Sequence, residues 1–213
     1  MELTKNKAAL RKQLREKLAG LPENDLRQAD LQILRNILAL EEYGRSGVIF
    51  CFVGVGREID TRPVIQEALT AGKRVAVPKC IAKGLMEAYE ITRLSDLEEG
   101  FFGLLEPGPH CPAVSREQID LILVPCLSCD RQGYRLGQGG GYYDRFLARG
   151  PFTGAVLCRE TMLSPEIPHG DHDIPVSIVV TDKAVYRNGS LEQSEYNRKR
   201  VRGTHESQSD DSL

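Results

Sequence analysis

Apolar positions along the chain follow two patterns. In residues 4–19 Leu10, Leu14 and Leu18 recur at a spacing of four, and in residues 23–40 Leu26, Ala29, Ile33, Ile37 and Leu40 share one face behind Pro22. Both stretches predict amphipathic helices. Short continuous apolar runs at 47–53 (GVIFCFV), 73–78, 121–124 (LILV), 153–158 and 177–181 predict strands, that at 47–53 buried and that at 121–124 buried on both faces. Residues 62–71 between the first two read as a helix, with Asp60 or Thr61 as its cap and Gly72 at its end, so the chain draws a strand–helix–strand unit, the mark of a parallel sheet. Residues 85–91 predict a further strand, and 142–148 a short helix; Pro107, Pro109 and Pro112 exclude regular helix from the turns between. The expected fold class is α/β: a mostly parallel sheet flanked by helices on both faces in a single domain over residues 1–186, with extra strand pairing around 85–91. Residues 187–213 turn polar and charge-mixed and read as a flexible tail.

Candidate chemistry concentrates in residues 121–147, LILVPCLSCDRQGYRLGQGGGYYDRFL. A buried strand there runs through a loop holding Gly133, Gly137, Gly139, Gly140 and Gly141 into a helix. Glycines permit positive φ and a close approach of backbone N–H groups to one anion, and a helix N-terminus favours negative charge. Arg135 adds a cationic fork suited to phosphate, and Asp144 a carboxylate suited to a divalent ion. A glycine cluster after a strand is also an ordinary turn, and GQGGG is neither a Walker loop nor a Rossmann fingerprint. Lys7 and Arg11 lie one turn apart, with Arg15 extending the row; they form either a ligand-binding face or a solvated one. Glu58 follows the 47–53 strand, at the end where ligands gather in parallel sheets, though a glutamate before a helix also serves the dipole. His169, Asp171, His172 and Asp173 are metal ligands by type but match no zinc template. Cys126 and Cys129 form a single CxxC, a weak zinc signal without a second pair, and are read as buried thiols.

Composition narrows the classes. With 213 residues, 41% hydrophobic and 27% charged, the chain can bury one sizeable core. A net charge of −2 argues against a general nucleic-acid binder. The opening MELTKNKAALRKQ lacks the apolar core of a signal peptide, and no later run reaches membrane-spanning length, so a soluble cytoplasmic protein is expected, a monomer being favoured. Six scattered cysteines fit a reducing compartment.

The run DRQGYRLGQGGGYYDRFL, residues 130–147, closely resembles the signature of the 5-formyltetrahydrofolate cyclo-ligase (methenyltetrahydrofolate synthetase) family, and the resemblance extends over about residues 7–181. It implies an enzyme that cyclises 5-formyltetrahydrofolate to 5,10-methenyltetrahydrofolate with ATP and Mg²⁺, releasing ADP and phosphate by way of a phosphorylated formyl oxygen. KAALR then resembles the family's K-x-x-x-R, placing Lys7 and Arg11 on ATP together with Arg135, Gly137 and Tyr143. Gln138, Gly139, Gly140, Gly141 and Tyr142 would form a wall shared by nucleotide and folate. Val53 and Glu58 would touch the folate, Asp144 and Asp173 would hold Mg²⁺, and Arg135 and Tyr142 would act in catalysis. Three residues depart from the family pattern. Ser177 stands where an acid is usual, and Cys126 and Cys129 stand where a glycine and an apolar residue are common. Phe101 and Phe102 either line the ligand pocket or anchor a loop, and RKRVR in the tail either touches nucleic acid or phosphates or is a solvated linker. Two other readings remain at this point: another phosphate-ligand enzyme of related fold, and a non-catalytic nucleotide- or folate-binding or interaction protein.

Overall fold

Side chains alternate across a β-strand, so a strand buried on both faces must feed two cores. The computed structural model, which describes residues 2–100 and 103–192, has this arrangement. From β1 (Val48–Cys51), Val48 and Phe50 enter one cluster and Ile49 and Cys51 the other. From β7 (Leu121–Val124), Ile122 and Val124 join the first, Leu121 and Leu123 the second. Helix α1 (Glu2–Ala19) lays Leu14 on the first cluster, and α5 (Tyr142–Leu147) adds Phe146, which stacks on Phe50 at 4.8 Å between ring centroids. The second cluster is covered by α2 (Glu23–Leu38), α3 (Glu41–Arg45) and α4 (Arg62–Thr70) through Ile33, Ile37, Tyr43, Val64 and Ile65. Helix α3 had no counterpart in the sequence pattern; its five residues are too few to show a 3.6-residue period.

The centre of the sheet is parallel. β1 pairs with β7 on one side and with β2 (Arg74–Ala82) on the other; β7 pairs with β10 (Gly154–Leu157), and β10 with β11 (Ile178–Val180). Antiparallel strands extend both edges. β3 (Leu85–Ile91) folds back on β2 and carries β6 (Ala113–Val114), while β12 (Val185–Arg187) and β13 (Ser190–Leu191) follow β11. The last hairpin carries the sheet past residue 186, the boundary drawn from composition. Its signal was local: Asn188 and Gly189 have φ of 46° and 82°, the left-handed pair that tight hairpins require. Residues 193–213, including RKRVR, lie outside the described residues, as do Phe101 and Phe102. Short pairs β4 (Leu97–Glu99) with β5 (Leu105–Pro107), and β8 (Ser128–Cys129) with β9 (Arg135–Leu136), complete the strands.

Because the chain moves from β1 outward to β2, then returns to β7 and proceeds outward through β10 to β11, the strand order reverses between β1 and β7. The loops leaving these two strands diverge to opposite sides and open a crevice at their carboxyl ends. The loop after β7 is pinned there by Asp130, 3% exposed, which accepts from the Tyr134 N–H at 3.1 Å and the Ile167 N–H at 2.9 Å. Gly133, at φ +86°, completes the pin: its carbonyl accepts from Val176 N–H at 3.1 Å, and a Cβ on it would lie 1.8 Å from the Val176 carbonyl oxygen. Gly133→Ala should therefore cost about 2–4 kcal/mol, combining left-handed strain with overpacking. Gly72→Ala, at φ +75° in open space, should cost only about 1 kcal/mol. Urea unfolding of the two variants measures the difference, and equal losses would contradict the close approach at Val176.

Candidate functional site

Four segments converge at the crevice. The first is the basic row of α1, where an unbroken helix sets Lys7, Arg11 and Arg15 one turn apart. The second is the glycine loop, residues 137–141, in which Gly139 and Gly141 take φ of +104° and +66°, and Gly141 leads directly into α5. A Cβ on Gly140 would lie 2.7 Å from the Tyr142 ring, so the loop packs directly against that tyrosine. The third is the loop after β1 with Glu58, and the fourth is residues 167–174.

Cross-chain contacts lock these segments together. Lys7 Nζ bridges both oxygens of Asp173 at 2.5 and 2.6 Å. Arg11 Nε donates to the Gly137 carbonyl at 2.8 Å, and Arg15 donates to Gln138 Oε1 at 2.7 Å. Burial acts against the charge of Asp173, but the Lys7 ammonium and the Gly170 N–H outweigh it and hold the carboxyl below its ordinary pKa. Burial and the adjacent Arg15 charge both lower the pKa of Arg11. Arg135 is buried, its fork divided between Asp144 Oδ1 at 2.8 Å and the Ile174 carbonyl at 2.5 Å. Its immediate task is thus to fix Asp144 beside residues 173–174.

Asp144 and Asp173 carry the carboxylates that could hold a hard divalent ion, both oxygens of Asp173 being bound here by Lys7. Asp144 Oδ1 also accepts from the Ile174 N–H at 3.3 Å, so the two acids flank one backbone segment. Oδ2 of Asp144 takes no protein donor among the described residues. The free carboxylate oxygen of Asp144 suits a hard ion such as Mg²⁺, which seldom takes an all-protein cage. The neighbouring histidine is otherwise engaged: His169 stacks on Tyr134 at 3.5 Å and bonds the Ile167 carbonyl through Nδ1.

Glu58 and Gln138 line a single cavity together with Arg57, Arg159, Cys126 and Cys158. Burial raises the Glu58 carboxyl above its ordinary pKa, partly offset by the Val55 N–H. Val53 is a core residue, 6% exposed, and does not line this cavity. Tyr142 is half-buried against the glycine loop, whereas Tyr143 turns its ring inward towards Phe50, and its buried hydroxyl has no partner among the described residues. Burial also pushes the Tyr143 phenol well up, keeping it protonated as a donor.

Two residues that the sequence did not single out position this cavity. Arg159, at the end of β10 and 5% exposed, makes a two-pronged pair with Asp30 of α2 at 2.7 and 2.9 Å and donates to the carbonyls of Arg57 and Glu58 at 2.9 and 3.0 Å. Asp30 also accepts from the Asp60 N–H at 3.0 Å. No motif marks either residue; the signal exists only once β10 lies beside β7. Cys158 likewise joins Cys126 and Cys129, so the CxxC has a third member 29 residues further on. No helix among the described residues is long and apolar enough to cross a membrane.

The architecture and sequence have close counterparts. A methenyltetrahydrofolate synthetase from Aquifex aeolicus superposes with a TM-score of 0.78 at 30% identity, covering 88% of this chain and 95% of that one. A 5-formyltetrahydrofolate cyclo-ligase from Mycolicibacterium smegmatis is 33% identical over 84% of this chain and 95% of its own length. A probable cyclo-ligase from Schizosaccharomyces pombe is 28% identical over 88% of this chain and all of its own length. The sequence model of the 5-formyltetrahydrofolate cyclo-ligase family matches residues 3–182. With that match spanning most of a chain that folds like its relatives, this protein belongs to the 5-formyltetrahydrofolate cyclo-ligase family.

Proposed function

We propose that this protein is the ATP- and Mg²⁺-dependent ligase that cyclises 5-formyltetrahydrofolate to 5,10-methenyltetrahydrofolate. The observation that carries the reading is the convergence of Lys7, Arg11 and Arg15 on the glycine loop and Asp173, directly beside the cavity of Glu58 and Gln138. A polyanion seated between Arg11 and Arg15 would relieve the repulsion between those two charges, and the N–H groups of residues 137–141 would add donors at the start of α5. Gln138, tied to Arg15 and lining the same cavity as Glu58, is the wall shared by nucleotide and folate. A carboxylate at position 58 suits the paired N–H donors of a pterin edge.

In the reaction, the formyl oxygen attacks the γ-phosphorus and ADP leaves. N10 then attacks the activated formyl carbon, and phosphate departs with the former formyl oxygen as N10 loses its proton. The protein's work is positioning and charge neutralisation. Lys7 and Arg11 neutralise the phosphates, Arg135 orients Asp144, Arg159 holds the Glu58 loop, and Tyr142 closes the glycine loop. Asp144 and Asp173 would hold Mg²⁺, which would supply further neutralisation of charge on the phosphate oxygens. The ligands in this reading are small molecules, the folate and ATP, rather than a membrane or a nucleic acid.

Absorbance of the methenyl product should grow only when protein, 5-formyltetrahydrofolate, Mg²⁺ and ATP are all present; ATP binding without turnover would favour a different phosphate-ligand enzyme on this fold. Lys7→Ala should lower kcat/KM about 10²-fold, as for loss of a charge at a phosphoryl group. Its circular dichroism should be unchanged because α1 is held on the core by Leu10, Leu14 and Leu18 rather than by Lys7, and unaltered kinetics would remove Lys7 from the site. Glu58 gives a pH test. Since folding favours its protonated form, the stability linked to it is fully present below the ordinary glutamate pKa and is lost as pH rises through the raised value. Glu58→Gln should abolish that loss, leaving the variant at least as stable as wild type in mildly alkaline urea titrations, yet weaken folate binding by at least about tenfold through loss of a charged hydrogen-bond acceptor. Full folate affinity in the variant would exclude Glu58 from substrate recognition.

A further inference from the structure

Cys126 follows β7, Cys129 ends β8 and Cys158 follows β10, and their sulfur atoms all lie within 4.8 Å of one another. All three are free thiols; Cys129 and Cys158 are buried and Cys126 half-buried. Their hydrogen bonds outside the group are long contacts to backbone carbonyls: Cys126 to Leu157 at 3.3 Å and Cys158 to Arg159 at 3.5 Å. The folate chemistry above uses none of them.

We propose that Cys126, Cys129 and Cys158 form a binding site for one soft, thiophilic metal ion of the Zn²⁺ class, with its fourth position open to the ligand cavity. Metal–sulfur bonds of about 2.3 Å set sulfurs roughly 4 Å apart around an ion, within reach of the observed grouping after a small contraction. A donor set of three sulfurs without a carboxylate or imidazole selects against Mg²⁺ and for Zn²⁺ or its softer relatives, so the site does not compete with Asp144 and Asp173 for the same metal. Cys126 and Cys158 are also wall residues of the cavity that holds Glu58, and Met162 shares that wall as a further soft donor. On binding, the three thiols release their protons and three metal–sulfur bonds form, with no change in oxidation state. The resulting centre carries net negative charge, next to the guanidinium of Arg159. It staples the turn after β7 to the end of β10, where Arg159 holds the Glu58 loop.

The test is metal uptake by the chelator-stripped, fully reduced full-length chain. Titration with Zn²⁺ should give one bound ion per chain, and Co²⁺ should produce a sulfur-to-metal charge-transfer band that Zn²⁺ abolishes. Cys126→Ser and Cys158→Ser should each lose the band, whereas Cys80→Ser and Asp173→Asn should keep it. Because the wild-type protein must itself bind the ion, instability of a variant cannot hide failure. Absence of uptake by wild type, or a band that survives Cys126→Ser, would overturn the proposal. So would peptide mapping that finds a disulfide within the trio in air-exposed protein whose reduced form takes up no metal, an outcome that would assign a redox pair.

Discussion

Burial of the central strands on both faces is the constraint from which the rest of the molecule follows. A strand with water on neither side can carry only apolar side chains along its length, so β1, β7, β10 and β11 have no room for chemistry within the sheet. Helices must cover both faces, and each polar functional group is displaced to the carboxyl ends of the strands. The reversal of strand order between β1 and β7 then chooses which of those ends open a crevice.

Given that crevice, long-range polar contacts shape it. The Arg159–Asp30 pair is buried and two-pronged, with side chains 5% and 12% exposed, and losing one partner of such a pair typically costs about 3–5 kcal/mol. Its value lies in geometry as much as energy, since the same guanidinium holds two carbonyls of the Glu58 loop. Lys7 and Asp173 play the corresponding part between α1 and residues 167–174, joining residues 166 positions apart. The site is thus assembled from opposite ends of the chain around a glycine loop whose own shape is set locally.

Membership of the cyclo-ligase family explains why so much polar machinery is devoted to one crevice, while the three clustered thiols stand apart from it. Cys126 and Cys158 share a cavity wall with the carboxylate of Glu58, so one scaffold sets an oxygen acceptor and soft thiols side by side.

Periodicity determined nearly all of the central elements, because burial on one helix face or both strand faces writes itself directly into the order of apolar residues. The strands at 85–91 and 121–124 were legible to the residue, and the glycine loop and its flanking helix to within one. The hairpin at Asn188 and Gly189 was equally local, but its polar composition read as tail. Residue types and family likeness also pointed to Lys7, Arg11, Glu58, Gln138, Asp144 and Asp173 before any coordinates. Tertiary structure alone decided what those residues touch: that Arg135 spends its fork on Asp144 and Ile174, that Tyr143 faces inward, that Arg159 and Asp30 brace the cavity, and that a third cysteine completes a trio. These are contacts between segments far apart in the chain, and they depend on strand order, a property of how elements pack that leaves no periodic trace in the residues themselves.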